Sequence, residues 1–220
     1  MAVDPTAPRQ VSAYDWVPDF AKGHVRDLRA RWALEEADLP YAVRLLDVQA
    51  DRPADYLREQ PFGQVPAYRE GEVRLFESGA IVLHIAERSE TLMPRDAVGR
   101  ARVASWVVAA LNSIEPITQQ LAEMNFFHAG EAWTKERLPQ VAEQANKRLE
   151  QLSTYLGERD WLEDRFTAGD LMMVAVLRIF EGQPTLDAHP ALGRYVQRGM
   201  ARPAFQRALA AQLADFKKES

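Results

Sequence analysis

The 220-residue sequence contains no cysteine, which removes disulfides, thiolate metal ligands and a cysteine nucleophile together. That absence suits a reducing cytoplasm. Long apolar runs are missing too: the longest clean one, Leu171 to Leu177, falls far short of the ~20 residues a membrane-spanning helix needs, so no membrane partner is expected. The start, MAVDPTAPRQ, has no basic segment leading into an apolar stretch, and no secretory signal is expected there. Nor is positive charge in excess. The 27 Lys and Arg against 32 Asp and Glu leave a net charge of −5, ill suited to gripping a phosphate backbone, so no nucleic-acid partner is expected either. GxGxxG, a phosphate loop ending in Gly-Lys-Ser or Gly-Lys-Thr, and HExxH are all absent. The four histidines (His24, His84, His128, His189) are scattered too widely for a metal site. What is present is ordinary for a globular protein: 47% hydrophobic and 27% charged residues, in a chain long enough to bury a core without staples.

The pattern changes near residue 90. Before it, short β-type runs (11–14, 41–48, 65–68, 73–76) alternate with helical stretches (25–38, 54–60, 78–88), which predicts an α/β unit with a small mixed sheet. The two last runs flank Arg69-Glu70-Gly71-Glu72 and predict a hairpin. Residues 15–23, with Pro18 and Gly23, predict a loop, and Arg26, Arg29 and Arg31 on the first helix predict a solvated basic face. Residues 89–97 suit a linker. Beyond it the sequence predicts helices over about 98–123 with a kink at Pro116, then 136–157, 169–181 and two more by residue 216.

Two short stretches point to chemistry. In PFGQVPAY (61–68) the Val65-Pro66 bond enters a strand; a cis bond there would free the Val65 backbone to pair with an extended peptide ligand, whereas a trans bond would be an ordinary strand start. In FESGAIVLHIAE (76–87), Glu77-Ser78 sits where a strand hands over to a helix. A helix N-terminus with a serine hydroxyl attracts a carboxylate, and a glutamate beside it attracts an ammonium group, so the pair suits the α-amino-acid end of a ligand. A plain serine N-cap is the simpler account.

These stretches, RARWALEEADLPY (29–41) ahead of them, Phe166-Thr167-Ala168-Gly169-Asp170 with its expected capping box, and Arg202-Pro203-Ala204 follow one another as in the glutathione transferase superfamily. The chain resembles that superfamily, in its bacterial cytosolic type, over residues 10–216. The resemblance implies a thioredoxin-like domain (1–89) followed by an all-helical bundle domain (96–220), glutathione as co-substrate, no metal, a homodimer, and a conjugating, detoxification-type activity on a small electrophile. It implies a cis Val65-Pro66 bond, Val65 pairing with the cysteinyl backbone of glutathione, Glu77 and Ser78 holding its γ-glutamyl end, and Gln64 reaching its glycine end. At the catalytic position the sequence departs from the family: His24, Val25 and Arg26 occupy the slot for serine or cysteine. Arg26, assisted by Lys22, and Tyr14 are the candidates for stabilising the thiolate. Trp16, Phe20, Trp106, Phe126 and Phe127 are the candidates for an apolar acceptor pocket, with Trp106 as readily a core residue. A glutathione-dependent disulfide reductase and a non-catalytic binding module are the alternatives. Apolar side chains around Leu83 and Trp106 motivate the dimer.

Overall fold

The structure, a computed structural model, describes residues 3–217. They divide into two compact units, one formed by 3–95 with 201–217 and the other by 96–200.

The first unit is built on four strands, β1 (Arg9–Tyr14), β2 (Ala42–Leu46), β3 (Ala67–Glu70) and β4 (Val73–Phe76), in the order β2-β1-β3-β4. β1 runs parallel to β2, with Val11 opposite Val43, and antiparallel to β3, with Val11 opposite Tyr68. Parallel neighbours need a crossover, and α1 (Asp27–Glu36) supplies it. As one of the two inner strands, β1 buries Val11, Ser12 and Ala13 in succession. The hairpin differs from its expected bounds: β3 opens at Ala67 and runs to Glu70, so that Glu70 pairs with Val73 across a two-residue turn. Pro66 has no N–H for a ladder, and the next N–H, that of Ala67, donates to the buried Ser12 Oγ at 2.7 Å. Gly71 takes the positive φ (+54°) that so short a turn demands. Two further helices, α2 (Ala54–Glu59) and α3 (Ser78–Ala86), complete the α/β part.

The expected solvated basic face on α1 does not exist. Every residue from Asp27 to Glu35 is buried, with Arg31 at 0% and Arg29 at 6% exposure. The reason is the chain's last helix, spanning Pro203–Asp215, which packs along α1 and thereby joins the first unit instead of the helical one to which residues 96–220 were expected to belong. Burying charge is costly unless it is paired, and α1 meets that condition. Arg31 Nε donates to Asp27 Oδ2 at 2.7 Å and its Nη2 to Asp215 Oδ2 at 2.6 Å. Arg207 bonds Glu35 at 2.7 Å, and Arg202 holds Glu36 through two bonds of 2.5 and 2.7 Å.

The second unit is helical: α4 (Ala97–Ala109), α5 (Glu115–Phe126), α6 (Ala132–Leu156), α7 (Ala168–Leu177), the short α8 (Pro184–Asp187) and α9 (Pro190–Met200); the last helix of the first unit is α10 (Pro203–Asp215). The single helix expected over 98–123 is two, joined by a π-helical stretch, Ala110–Ile114, with Pro116 in the first turn of α5, where its missing N–H costs nothing. At the centre lies α7, buried on nearly every side. Its expected capping box is present, with Thr167 accepting from Gly169 N–H and Asp170 accepting from Thr167 N–H at 2.9 Å. Asp170, fully buried, also accepts from Leu162 N–H (2.8 Å) and the Tyr195 hydroxyl (2.9 Å). Gly169 lets α7 lie against Trp106, because a Cβ there would come within 2.6 Å of the Trp106 Cβ.

Two predictions follow from these buried charges. Asp170→Ala strands four donors, those three and the Thr167 hydroxyl at 3.2 Å, and should lower unfolding stability by about 2–4 kcal/mol in urea titration, against about 1 kcal/mol for Thr167→Ala; equal, small losses would refute the hub role. Burial pushes the Asp27 carboxyl up to about 6, outweighing the Arg31 charge and the bonds from Arg31 and Gln212. The folded chain therefore holds that proton more tightly than the unfolded one, and this contribution to stability falls as pH rises from about 4 to about 6. Asp27→Asn lacks that descent, so its stability relative to the native protein should climb across this window and level off above it; a pH-independent difference would contradict the shift.

Candidate functional site

The α3 start is unusual in its backbone. Glu77 has φ +66° and ψ 116°, outside the left-handed well as well as the common regions. The other non-glycine with positive φ, Asp38 (φ +53°), simply follows the C-terminus of α1, where Leu39 N–H returns to the Leu34 carbonyl at 2.9 Å. Glu77 has no such excuse, and strain of about 1–3 kcal/mol at an exposed strand-to-helix junction is characteristic of ligand sites. The Glu77 side chain makes no capping bond, leaving its carboxylate at the surface. Ser78, beside it, is 5% exposed and accepts a bond from Arg29 Nη1 at 3.1 Å. With a lone pair occupied by a buried guanidinium, its O–H is turned to donate elsewhere. The helix N-terminus adds its own N–H groups and positive partial charge.

The segment before β3 lies next to this junction. Ala67 pairs with Phe76, so Pro66, which precedes Ala67, and Glu77, which follows Phe76, leave the same end of the ladder. The Val65-Pro66 bond is cis. A buried relay fixes the segment on both sides: the Tyr56 hydroxyl donates to the Gln64 carbonyl (2.5 Å) and meets Ser12 Oγ (2.8 Å), which in turn accepts from Ala67 N–H. Arg52 adds bonds to the carbonyls of Gly63 (3.0 Å), Asp47 (2.7 Å) and Ala50 (2.9 Å). The Gln64 side chain is exposed.

Tyr14, separated in sequence from α1 by a long loop, and Val25, beside the catalytic slot, pack against the same cluster of Leu46, Tyr56, Val65 and Ala67. The loop folds back, so both meet the cluster that contains Val65. The Tyr14 ring carries the Arg52 guanidinium 5.1 Å from its centre. Arg26 is half-buried at the N-cap of α1, with Asp27 following it. Lys22 pairs with the exposed Asp19 at 2.5 Å.

The expected acceptor residues fall in both units. Trp16 is half-buried and Phe20 is 64% exposed in the loop after β1. In the helical unit, Trp106 lies against Tyr155 (ring centres 4.7 Å apart) and donates to Glu163 Oε1 at 2.9 Å, so it takes part in packing α4. Phe126 and Phe127 are 51% and 57% exposed at the end of α5.

Residues that sequence reasoning missed are Arg29, Arg52, Ser12 and Tyr56. Ser12, a polar residue inside an apolar strand, was the one visible signal; the others take their meaning from partners distant in sequence. Among the described residues no group of three or more His, Asp or Glu is placed to hold a metal ion, and no helix is long and apolar enough to cross a membrane.

Comparison with known proteins agrees with this fold. Residues 20–87 match the family model for the N-terminal domain of glutathione S-transferase, and residues 116–203 match that for its C-terminal domain. A probable glutathione S-transferase of Oryza sativa subsp. japonica is 31% identical over 79% of this chain and 86% of its own. The disulfide-bond oxidoreductase YfcG of Escherichia coli is 28% identical over 85% of this chain and 92% of its own. Among solved structures, a glutathione transferase family member of Pseudomonas fluorescens with two glutathione bound superposes with a TM-score of 0.79 at 25% identity, covering 92% of this chain and 93% of that one.

Proposed function

The chain belongs to the glutathione transferase family, and on that premise we propose that it binds glutathione at the α3 start and transfers its thiolate to a small, apolar electrophile. The observation that carries this reading is the Glu77–Ser78 junction: an outward carboxylate on a strained backbone beside a buried hydroxyl polarised by Arg29. Glu77 takes the ammonium and Ser78 with the helix N–H groups takes the carboxylate of the γ-glutamyl end. Val65 pairs with the cysteinyl backbone and Pro66 shapes that edge. Gln64 reaches the glycine end, where Arg52, bonded to Gly63 next door, supplies a cation.

The chemistry asks for little. A free thiol with pKa about 8.5 is a few per cent ionised at neutral pH. Lowering that by two units takes about 2.7 kcal/mol, within reach of one charge-assisted hydrogen bond at about 1.5–3 kcal/mol plus a helix N-terminus. Arg26 at the first turn of α1 is our first choice for that partner, with Lys22 assisting from the loop and Tyr14 as the competing donor. The thiolate sulfur then bonds to the electrophilic carbon as the leaving group, such as halide, departs with its electron pair; no metal is called for. Trp16, Phe20, Trp106, Phe126 and Phe127 are our candidates for contacts to the acceptor.

A second reading has its own support. The slot at 24–26 lacks serine and cysteine, and a 28% identical relative is a disulfide-bond oxidoreductase. Here the thiolate attacks a bound disulfide, forming one mixed disulfide and expelling a thiolate, with no protein cysteine involved. Either reaction suits the cytoplasm, where glutathione is kept reduced. We further propose a homodimer. Phe62 and Phe76, a ring pair 6.1 Å apart that is 67% and 37% exposed in the first unit, support it, while Leu83 and Trp106 are half-buried.

Calorimetry should show glutathione binding that Glu77→Ala weakens by about 1.5–3 kcal/mol and Ser78→Ala by less; unchanged affinity in both would remove the site. With glutathione present, an aryl halide should turn over faster than a small mixed disulfide. The reverse order selects the reductase, and binding without either turnover selects a binding module. Arg26→Ala should raise the ultraviolet titration of the bound thiol by about one to two pH units; a shift in Tyr14→Phe alone hands the role to Tyr14. Sedimentation should give about 50 kDa, twice the 24.9 kDa of one chain, and a single-chain mass at micromolar concentration would sink the dimer.

A further inference from the structure

Within the loop that carries Trp16, Phe20, Lys22 and Arg26, backbone bonds close local turns, from Ala21 to Pro18, Lys22 to Asp19 and His24 to Ala21. Both of its ends, however, are held by one short segment from the far end of the chain. At the entry, Lys217 N–H donates to the Asp15 carbonyl at 2.8 Å, and the Lys217 ammonium pairs with the Asp15 carboxylate, which is 10% exposed. At the exit, the Gln212 amide, 1% exposed, donates from Nε2 to the Val25 carbonyl (3.1 Å) and to Asp27 Oδ1 (2.7 Å). Both partners are acceptors, so the amide can sit only one way round. One turn further on, Asp215 bonds Arg31 at 2.6 Å. Val25, the residue whose carbonyl Gln212 holds, packs against the Val65 cluster.

We propose that Gln212 and Lys217 are positioning residues for the active-site loop: the end of α10 pins residues 15 and 25–27 and so fixes the first turn of α1 at the distance from Val65 that thiolate stabilisation requires. This inference rests on the reading that this turn faces the glutathione sulfur. It adds a determinant that touches neither glutathione nor acceptor and acts only through the backbone it holds. A consequence is that acceptor specificity, which depends on Trp16 and Phe20, is set partly by residues some two hundred positions downstream.

The test uses Lys217→Ala, Lys217→Arg and Gln212→Met. The Lys217 side chain is 66% exposed, so its variants keep the fold even where Gln212→Met does not. Amide hydrogen exchange over residues 16–26 is read without any ligand and should quicken about tenfold or more in Lys217→Ala, with Lys217→Arg restoring the native rate. The bound thiol should titrate about half to one pH unit higher in Lys217→Ala while glutathione affinity stays within about twofold. Unchanged exchange in Lys217→Ala overturns the proposal, and so does faster exchange with an unmoved thiol titration. Should the native protein bind no glutathione, the functional reading falls separately, and the exchange result alone judges the clasp.

Discussion

The first unit depends on the burial of α1. Asp27, Arg29, Arg31 and Glu35 all lie inside on a helix that serves as the crossover between two parallel strands. A buried charge without a partner costs several kcal/mol, a large fraction of a domain's net stability. Their partners come from α1 itself, where Asp27 and Arg31 pair, from Ser78 of α3 for Arg29, and from α10 and its N-cap, with Gln212 on Asp27, Asp215 on Arg31, Arg207 on Glu35 and Arg202 on the neighbouring Glu36. The unit is therefore discontinuous, and it cannot be electrostatically complete until residues 202–215 have been made and have docked.

That constraint reaches the candidate site because α1 is shared. One side of it meets α10, and from the other Arg29 extends to Ser78 at the head of α3. Its first turn is gripped by Gln212 and leans through Val25 on the cluster that contains Val65. Of the proposed ligand contacts, Glu77 and Gln64 are exposed and Ser78 is buried, held by the buried guanidinium of Arg29. Pre-organisation of this kind makes a hydroxyl or an N–H worth more to a ligand than the same group free to rotate.

Much of this was legible in the sequence. The strand and helix periods, the linker near residue 90 and the Thr167–Asp170 box are local signals, since each depends on neighbours a few residues apart. Glu77-Ser78 was legible as a strand-to-helix junction for the same reason. The role of Arg29 and Arg31 was not. On a helical wheel they look like a solvated stripe, and what overrides that pattern is α10, whose own sequence says only that it is amphipathic. The split of the expected helix at Ala110–Ile114 was also hidden, because Pro116 is compatible with a kink inside one helix or with the first turn of a new one.

The sequence by itself determined most of the elements, their order and the family they resemble. Each of these rests on short-range chemistry: alternation, helical period, a cap, a proline with no N–H. Tertiary structure decided which charges are buried, which helix closes the first unit, and why Tyr14 and Val25, separated by a long loop, share one apolar cluster with Val65. Those outcomes depend on desolvation and on pairings between residues as far apart as Glu35 and Arg207. Desolvation is a property of what surrounds a side chain in space, and no spacing along the chain encodes it.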